Sequence, residues 1–264
     1  MPKAEVNGIR LNYERTGGGI PVVLITGLMG ETGFWAKTLP LLEPSCDVIT
    51  VDNRGAGSTE YEGEFTVGDM ADDISCLLDH LGMPSAHVLG WSMGSHIAIA
   101  LAARHPSKVR SLTLASAYLE RPARSEYILD LMSRWYLDGE ISEEAVGAFM
   151  NVLLRTEGFF RSAKDTGRPI RSMRLSSKEG MMLQLKAGDS YNPSADAERI
   201  ECPVMYIHGE EDIMVDRDEG ERLAKAVHAD SVVSIPGDGH LLRPQLYIPC
   251  FLDFIKGAEE NPYH

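Results

Sequence analysis

Short runs of apolar, mostly β-branched residues alternate with longer segments of helical apolar spacing, and this alternation most constrains how the 264-residue chain can fold. Residues 22–25 (VVLI) are apolar at four successive positions, and residues 46–51 (CDVITV) follow a similar pattern. Such a strand is buried on both faces, as in a parallel sheet that helices cover on both sides. Between such runs, residues 67–81 have the apolar spacing of an amphipathic helix. The alternation predicts an α/β fold with a mostly parallel sheet.

The same rhythm continues along the chain and is interrupted once. Further strands are predicted at 87–89, 109–114, 203–207 and 231–235, and helices at 34–42, 95–104, 219–227 and 246–255. Residues 118–199 show no buried-strand pattern and are rich in methionine and aromatic residues. We therefore expect a core built from residues 1–117 and 200–264, with a helical cap inserted at 118–199.

Composition argues against several classes of partner. The 39 acidic and 25 basic residues give a formal net charge of −14, which disfavours binding to nucleic acid. No apolar stretch is long enough to span a membrane, and the first residues lack the apolar run of a secretory signal. The four cysteines are far apart and form no CxxC pair, which favours a reducing compartment over a metal or disulfide framework. We expect a cytoplasmic protein that does not bind a membrane, and a homodimer is compatible with the sequence.

The pentapeptide Gly90-Trp91-Ser92-Met93-Gly94 directly follows a predicted buried strand and opens a predicted helix. A serine at such a strand-to-helix turn has a strained backbone, and the flanking glycines leave room for the tight turn. The turn holds the serine hydroxyl out at the carboxyl edge of the sheet, where the helix N-terminus offers backbone N–H groups to a developing anion. The motif predicts that Ser92 is a catalytic nucleophile.

A serine nucleophile needs a base, and the base needs a residue that orients it. His240 lies in a glycine-bracketed loop after the last predicted strand, and Asp212 lies just beyond the preceding strand. Because parallel strands expose their carboxyl ends at one edge of the sheet, both side chains should meet Ser92 there. The chain order Ser, Asp, His is the order expected of this architecture. Glu211, next to Asp212, stays open as the alternative acid.

The other histidines are given structural or surface roles. His96 lies one turn along the helix that Ser92 opens, and we expect it to be packed or hydrogen-bonded there. His208 ends a buried strand, where a structural role is expected. Four histidines at helix or strand ends are predicted to be surface residues: His80, His87, His105 and His228.

The second donor to the oxyanion should come from the loop after the first buried strand, Thr26-Gly27-Leu28-Met29-Gly30. The backbone N–H of Leu28 would act together with that of Met93 on the developing negative charge. Substrate would bind between the sheet edge and the cap. The candidate pocket residues are Trp91, Trp135, Met181 and Leu241.

The chain resembles the serine hydrolases of the α/β-hydrolase fold, and within them the small carboxylic-ester and lactone hydrolases that include the 3-oxoadipate enol-lactonase-like group. The resemblance spans essentially the whole length and rests on the GWSMG turn, the segment 52–58 (DNRGAGS) and the loops of Asp212 and His240. It implies an eight-stranded, mostly parallel sheet flanked by helices, an inserted helical cap, no cofactor or metal, and a covalent acyl-enzyme. Two positions depart from the family pattern: Thr26 stands where histidine is usual, and Ser95 where a second glycine is usual.

Residues and resemblance together predict a serine hydrolase that cleaves small carboxylic esters or lactones through an acyl-enzyme on Ser92. A hydrolase of C–C bonds in 1,3-diketone-like substrates and a non-catalytic ligand-binding member of the fold stay open as alternatives. Residues 155–186 hold eight basic and three acidic residues. This basic segment of the cap could steer an anionic substrate towards the site, and the alternative is a plain solvated surface.

Overall fold

A single eight-stranded sheet runs through the computed structural model, which describes residues 2–167, 169–170 and 177–260. The strands follow the spatial order β1-β2-β4-β3-β5-β6-β7-β8. Pairing is antiparallel between β1 and β2 and between β2 and β4, and parallel between all later neighbours, which confirms the mostly parallel sheet. In chain order the strands are β1 (Lys3–Val6), β2 (Ile9–Gly17), β3 (Ile20–Ile25), β4 (Cys46–Val51), β5 (Ala86–Trp91), β6 (Val109–Ala115), β7 (Val204–Gly209) and β8 (Ser231–Ile235).

Helices flank this sheet, and five of those described lie together between β6 and β7. In chain order the α-helices are α1 (Leu39–Leu42), α2 (Val67–His80), α3 (Met93–Arg104), α4 (Ala123–Leu137), α5 (Glu143–Leu154), α6 (Glu157–Thr166), α7 (Lys178–Asp189), α8 (Ser194–Ala197), α9 (Arg217–Ala226) and α10 (Pro244–Glu260). Two 3₁₀ helices span Thr32–Lys37 and Pro106–Lys108. Between β6 and β7, the described residues contain helices α4 to α8 and no strand.

The continuous apolar runs have two buried faces because their successive side chains enter different layers of the core. On β3, Val23 and Ile25 belong to the layer that contains apolar residues of α2 and α3. Val22 and Leu24 belong to the opposite layer, which contains apolar residues of α1 and α10. Successive side chains of a strand point to opposite faces, so a strand between two helical layers must be apolar throughout.

His87 differs from its prediction as a surface residue, because its side chain is completely buried. The strand β5 begins at Ala86, one residue before the predicted strand, so His87 lies inside the sheet, opposite Ser111 of β6. Its ring nitrogens contact the Ser111 hydroxyl at 2.7 Å and a carboxylate oxygen of Glu259 on α10 at 3.1 Å. Burial lowers the pKa of His87, although Glu259 opposes the shift. Two polar partners from distant parts of the chain therefore make an internal histidine possible.

The segment 34–42 is also less regular than its apolar spacing predicts. It forms a 3₁₀ helix over Thr32–Lys37 and then the single-turn helix α1. Pro40 lies in the first turn of α1 and lacks a backbone N–H. A continuous α-helix through this position would lose a hydrogen bond, so the chain starts a new turn at Leu39 instead.

Candidate active site

Ser92 lies between the last residue of β5 and the first residue of α3, in a left-handed backbone conformation with φ 55° and ψ −124°. The turn requires glycine two residues before and two residues after Ser92. A Cβ on Gly90 would lie 2.4 Å from the carbonyl oxygen of Gly94, and one on Gly94 would lie 2.3 Å from that of Ile25. Such strain persists only where the surroundings hold it in place, and here it keeps the serine at the carboxyl edge of the sheet.

Three predicted catalytic residues form one chain of hydrogen bonds. The His240 Nε2 atom lies 2.9 Å from the Ser92 hydroxyl oxygen, and His240 Nδ1 lies 2.8 Å from Asp212 Oδ2. The second carboxylate oxygen of Asp212 accepts hydrogen bonds from the backbone N–H groups of Met214 and Val215, at 2.8 and 3.0 Å. The Asp212 carboxylate is therefore fixed on both oxygens and can orient the imidazole.

The alternative acid, Glu211, does not take this place. Its side chain is exposed, and its backbone N–H donates to the carbonyl oxygen of Asp238 at 2.8 Å. This bond ties the loop after β7 to the loop that carries His240. The geometry thus favours Asp212 over Glu211 as the partner of His240.

The backbone of His240 is anchored as firmly as its ring. Its carbonyl oxygen accepts hydrogen bonds from the Trp91 indole N–H at 2.9 Å and from the Ser116 hydroxyl at 3.0 Å. Trp91 precedes the serine, and Ser116 follows β6, so the ends of two neighbouring strands hold the histidine loop. A base that is fixed in this way loses little entropy when it engages the nucleophile.

The loop after β3 lies beside Ser92, because a Cβ on its Gly27 would lie 3.0 Å from the Cβ of Ser92. The Thr26 hydroxyl donates to the carbonyl oxygen of Gly30 at 2.9 Å, and the Asn53 side-chain amide donates to the carbonyl oxygen of Thr26 at 3.0 Å. Leu28 and Met93, the two predicted backbone donors, line the same cavity as Ser92. Thr26, which departs from the family pattern, thus stabilises the loop from within.

Ser95, the second departure from the family pattern, also has a local structural role. Its hydroxyl donates to the carbonyl oxygen of Gly90 at 2.8 Å and lies 3.2 Å from the backbone N–H of Ala115. These contacts join α3 to the ends of β5 and β6 directly beneath the strained turn. A serine at this position therefore adds hydrogen bonds where glycine would add none.

Gln184 on α7 is a site residue that the sequence analysis missed. Its side-chain oxygen accepts from the backbone N–H of Met29 at 2.7 Å, and its side-chain nitrogen donates to the carbonyl oxygen of Arg54 at 2.6 Å. The side chain is fully buried and lines the cavity that contains Ser92. Because its partners lie 130 or more residues away in the chain, no local pattern could have identified it.

Two small adjoining cavities, of about 50 and 90 Å³, open on Ser92 and His240. Their shared walls are formed by Leu28, Leu129 and Met214, so the space is mostly apolar. The smaller cavity also reaches Arg121, and the larger one reaches Phe34 and Trp91. A much larger cavity of about 590 Å³ shares Phe34 and Trp91 with the 90 Å³ cavity, and the centroids of these two stacked rings are 4.5 Å apart.

The predicted pocket residues are only partly placed at these cavities. Trp91 lines the 90 Å³ cavity, whereas Leu241 lines only the 590 Å³ cavity. Trp135 on α4 is 38% exposed and lines neither cavity at Ser92. Met181 on α7 is buried among residues of α4 and α5 and Met29, and it does not line these cavities either. Contrary to the prediction, Leu241, Trp135 and Met181 therefore line neither cavity at Ser92. Trp135 and Met181 lie on helices α4 and α7, and helical spacing alone does not reveal which side of such a helix faces Ser92.

His96 is a packed helix residue, as expected. Its Nε2 lies 2.9 Å from the carbonyl oxygen of Tyr118, and its ring stands edge-on to the Tyr118 ring. Burial lowers the pKa of His96 to about 4. His208 is buried at the end of β7, 3.5 Å from the Ser234 hydroxyl, and burial lowers its pKa as well.

The basic segment 155–186 can be followed only in part, because Arg168, Arg171 and Arg174 lie outside the described residues. Helix α6 ends at Thr166, and Gly167 caps it with φ 63°, so the basic run does not continue along one helix. Two of the described basic residues form exposed ion pairs, Arg161 with Glu157 and Lys186 with Glu64. Their charge is therefore partly neutralised at the surface.

The described residues contain no cluster of three or more His, Cys, Asp or Glu side chains that could hold a metal ion. Cys46 is buried, the other three cysteines are half-buried, and all four are free thiols. Within the same ranges, no helix has the length and apolar character needed to cross a membrane.

Comparison with known proteins shows which family the sequence matches. A family model described as alpha/beta hydrolase fold matches residues 20–243. A putative carbamate hydrolase RutD of Caulobacter sp. (strain K31) is 26% identical over 247 residues, which cover 89% of this chain and 90% of that protein. The enol-lactonase of Burkholderia xenovorans LB400 shares the fold, with a TM-score of 0.85 and 23% identity over 97% of this chain and all of that one. A thermophilic esterase of Thermogutta terrifontis has a TM-score of 0.81 and 26% identity over 95% of this chain and 94% of its own.

Proposed function

This chain belongs to the α/β-hydrolase fold family, and we propose that it is a serine hydrolase that cleaves small carboxylic esters or lactones. The observation that carries the proposal is the unbroken chain of hydrogen bonds from Ser92 through His240 to Asp212. A serine hydroxyl becomes a nucleophile when an oriented histidine can take its proton, and this chain supplies both the base and its orientation.

In the proposed reaction, the Ser92 oxygen attacks the substrate carbonyl carbon while His240 Nε2 takes the hydroxyl proton. The backbone N–H groups of Leu28 and Met93 bind the oxyanion that forms. His240 then returns the proton to the leaving alkoxide, and the acyl group stays bound to Ser92. Water, deprotonated by His240, attacks the acyl-enzyme, the bond between the acyl carbon and the Ser92 oxygen breaks, and the carboxylic acid leaves. His240 returns the proton to the Ser92 oxygen, which restores the free enzyme. Throughout, Asp212 holds the imidazole tautomer and stabilises its charged form.

The dimensions of the site support small substrates. The two cavities at Ser92 are about 50 and 90 Å³ and have mostly apolar walls. These volumes lie well below the several hundred Å³ that are typical of sites for drug-sized ligands. We infer that a short acyl group occupies the space beneath cap residues such as Leu129 of α4 and that residues 118–199 act as the cap of a core built from 1–117 and 200–264.

Hydrolysis of 4-nitrophenyl acetate by the wild type and by Ser92→Ala tests the proposal. Saturable turnover that disappears in Ser92→Ala would support a serine hydrolase. Saturable binding of ester-like compounds without turnover in the wild type would instead indicate a non-catalytic ligand-binding protein. A panel of a lactone, a methyl ester and a 1,3-diketone would separate ester hydrolysis from C–C bond cleavage, which the same three residues could perform.

Carbamate hydrolysis is a second candidate, which the 26% identity to a putative carbamate hydrolase over 89% of this chain favours. The proposed triad would act in the same way on a carbamate carbonyl. An amine or ammonia would leave first, and water would then release the carbonyl carbon from Ser92 as carbonate or its monoester. A carbamate added to the panel decides between the two, since an ester hydrolase should turn over the matched ester much faster.

Two further features are proposals of the same kind. The basic segment 155–186 would raise the encounter rate of anionic substrates, and that advantage should shrink as salt screens it. We also propose that the protein acts in the cytoplasm on small molecules, without binding nucleic acid or a membrane, and that a homodimer would leave the site complete in each copy.

A further inference from the structure

Arg121 lines the smaller cavity at Ser92, and the proposed reaction gives this residue no role. It follows β6 in the segment that leads into the cap helix α4. Its side chain is only 16% exposed, which is unusual for an arginine. Of the residues described around this cavity, Arg121 alone carries a permanent positive charge.

The bonds of Arg121 occupy only part of its guanidinium. Its Nε donates to the Tyr118 hydroxyl at 3.0 Å, and its Nη1 forms an ion pair with Asp189 at the end of α7. Within the described part of the chain, Nη2 has no protein hydrogen-bond partner. Burial by itself lowers the pKa of Arg121, but Tyr118 and Asp189 outweigh it and raise the pKa, so the charge persists.

The position of Arg121 separates two environments. On the outer side, Arg121 and Tyr118 also line a groove of about 350 Å³ that contains Asp189. On the inner side lies the mostly apolar cavity beside Ser92. Two other polar side chains that line this cavity already have hydrogen-bond partners. The Gln184 amide bonds to Met29 and Arg54, and the Ser125 hydroxyl bonds to Met214. A guanidinium in such a space attracts an anion more strongly than it would in water.

We propose that Arg121 binds a carboxylate at the far end of the acyl group, so that the enzyme prefers hemiesters of short dicarboxylic acids. Arginine suits this task because its planar fork of N–H donors matches the geometry of a carboxylate. Asp189 competes for the same guanidinium from the outer side, but it is half exposed and its hold is weakened by water. Arg121 thereby becomes a specificity-determining residue.

The proposal rests on the ester or lactone hydrolysis proposed above, and its test uses a matched pair of substrates. One is the mono-4-nitrophenyl ester of glutaric acid, and the other is the same compound with its carboxylate capped as a methyl ester. Both kcat/KM values are measured on the same preparation of each variant. Any loss of folded enzyme lowers both values equally, so it does not change their ratio. The rate with Ser92→Ala is subtracted as the spontaneous reaction.

We expect the wild type to prefer the hemiester by at least tenfold and Arg121→Gln to bring the ratio close to one. Asp189→Asn should raise the ratio, because it removes the competing carboxylate. Lys37→Gln is the matched control. It removes a positive charge from the 590 Å³ cavity, and it should leave the ratio unchanged.

The inhibition constant of glutarate is a second measurement, and a purely structural role of Arg121 would leave this constant unchanged. With the capped substrate, glutarate should inhibit the wild type competitively, and its inhibition constant should rise at least tenfold in Arg121→Gln. A wild-type ratio near one, or a ratio that Arg121→Gln leaves unchanged, would overturn the role of Arg121 while leaving ester hydrolysis intact. Failure to hydrolyse either substrate would instead overturn the proposed function, and this proposal with it.

Discussion

Gln184 on the cap helix α7 accepts a hydrogen bond from the backbone N–H of Met29, in the loop beside the candidate nucleophile, at 2.7 Å. Met29 has a positive φ of 58°, which is uncommon for a residue other than glycine. Met29 follows Leu28, the proposed oxyanion donor. Helix α7, from the segment between β6 and β7, therefore holds one residue of the proposed oxyanion loop in place.

Replacement of Gln184 by leucine should weaken both the fold and the reaction. It would leave the buried Met29 N–H and Arg54 carbonyl without partners, at a cost of about 2–5 kcal/mol in the free energy of unfolding. We expect kcat to fall more than tenfold, because the Leu28 N–H loses its fixed position. Urea unfolding and steady-state kinetics measure the two effects.

Leu183→Ala is the matched control, because Leu183 is the preceding residue of α7 and packs against the main core. It should lower the free energy of unfolding while kcat changes less than threefold. Equal losses of kcat in the two variants would mean that Gln184 acts only through the stability of the cap.

Thr26 should contribute modestly to catalysis. Thr26→Val keeps the shape of the side chain but removes the hydrogen bond to the Gly30 carbonyl. We expect less than a tenfold loss in kcat/KM, because the bond from Asn53 reaches the backbone oxygen of Thr26 and survives the change. A loss comparable to that of Ser92→Ala would show that the hydroxyl itself takes part in the chemistry.

His96 should make the fold sensitive to acid. Burial lowers its pKa from 6.5 to about 4, so the unfolded chain binds its proton more readily than the folded chain. The stabilisation is present above pH 6.5 and is lost as pH falls from there towards 4, a change on the order of 3 kcal/mol at most. His96→Gln cannot titrate, so its free energy of unfolding should fall less between pH 7.5 and 5. Parallel losses in the two proteins would contradict this account.

Asp212 and Glu211 provide a paired test of the orienting acid. Asp212→Asn removes the charge that faces His240 Nδ1 and should lower kcat by about 10³- to 10⁴-fold, because the wrong imidazole tautomer is stabilised. Glu211→Gln changes an exposed neighbour and should alter kcat less than threefold. The reverse order of the two effects, measured by steady-state kinetics, would reassign the acid to Glu211.

Patterns with a direct physical cause could be predicted from the sequence. The apolar runs of β3 and β4 and the spacing of α2 follow from burial and therefore locate the elements to within two residues. The turn at Ser92 has its own signature, since only glycine fits beside it. The residue pattern does not predict β1 and β2, which lie at the antiparallel end of the sheet, because their apolar residues are few.

Contacts between distant segments could not be predicted in this way. His87 is the first residue of the predicted strand 87–89, and only Glu259 of the last helix completes its buried environment. Trp135 and Met181 have pocket-like chemistry, but the packing of α4 and α7 turns them away from Ser92. Arg121 and Gln184 lie in the segment between β6 and β7, and only its packing against the rest of the chain brings them to the cavity at Ser92. A single sequence holds no local signal for such pairs.

Labelling with a fluorophosphonate, followed by intact-protein mass spectrometry and peptide mapping, tests most directly whether Ser92 is an activated nucleophile. The reagent reacts with a serine hydroxyl only where a base and an oxyanion site activate it. We expect one adduct per chain, on the peptide that contains Ser92. Ser92→Ala should form no adduct, and His240→Ala should be labelled much more slowly. An unlabelled wild type, or an adduct on another residue with ester hydrolysis intact in Ser92→Ala, would contradict this expectation.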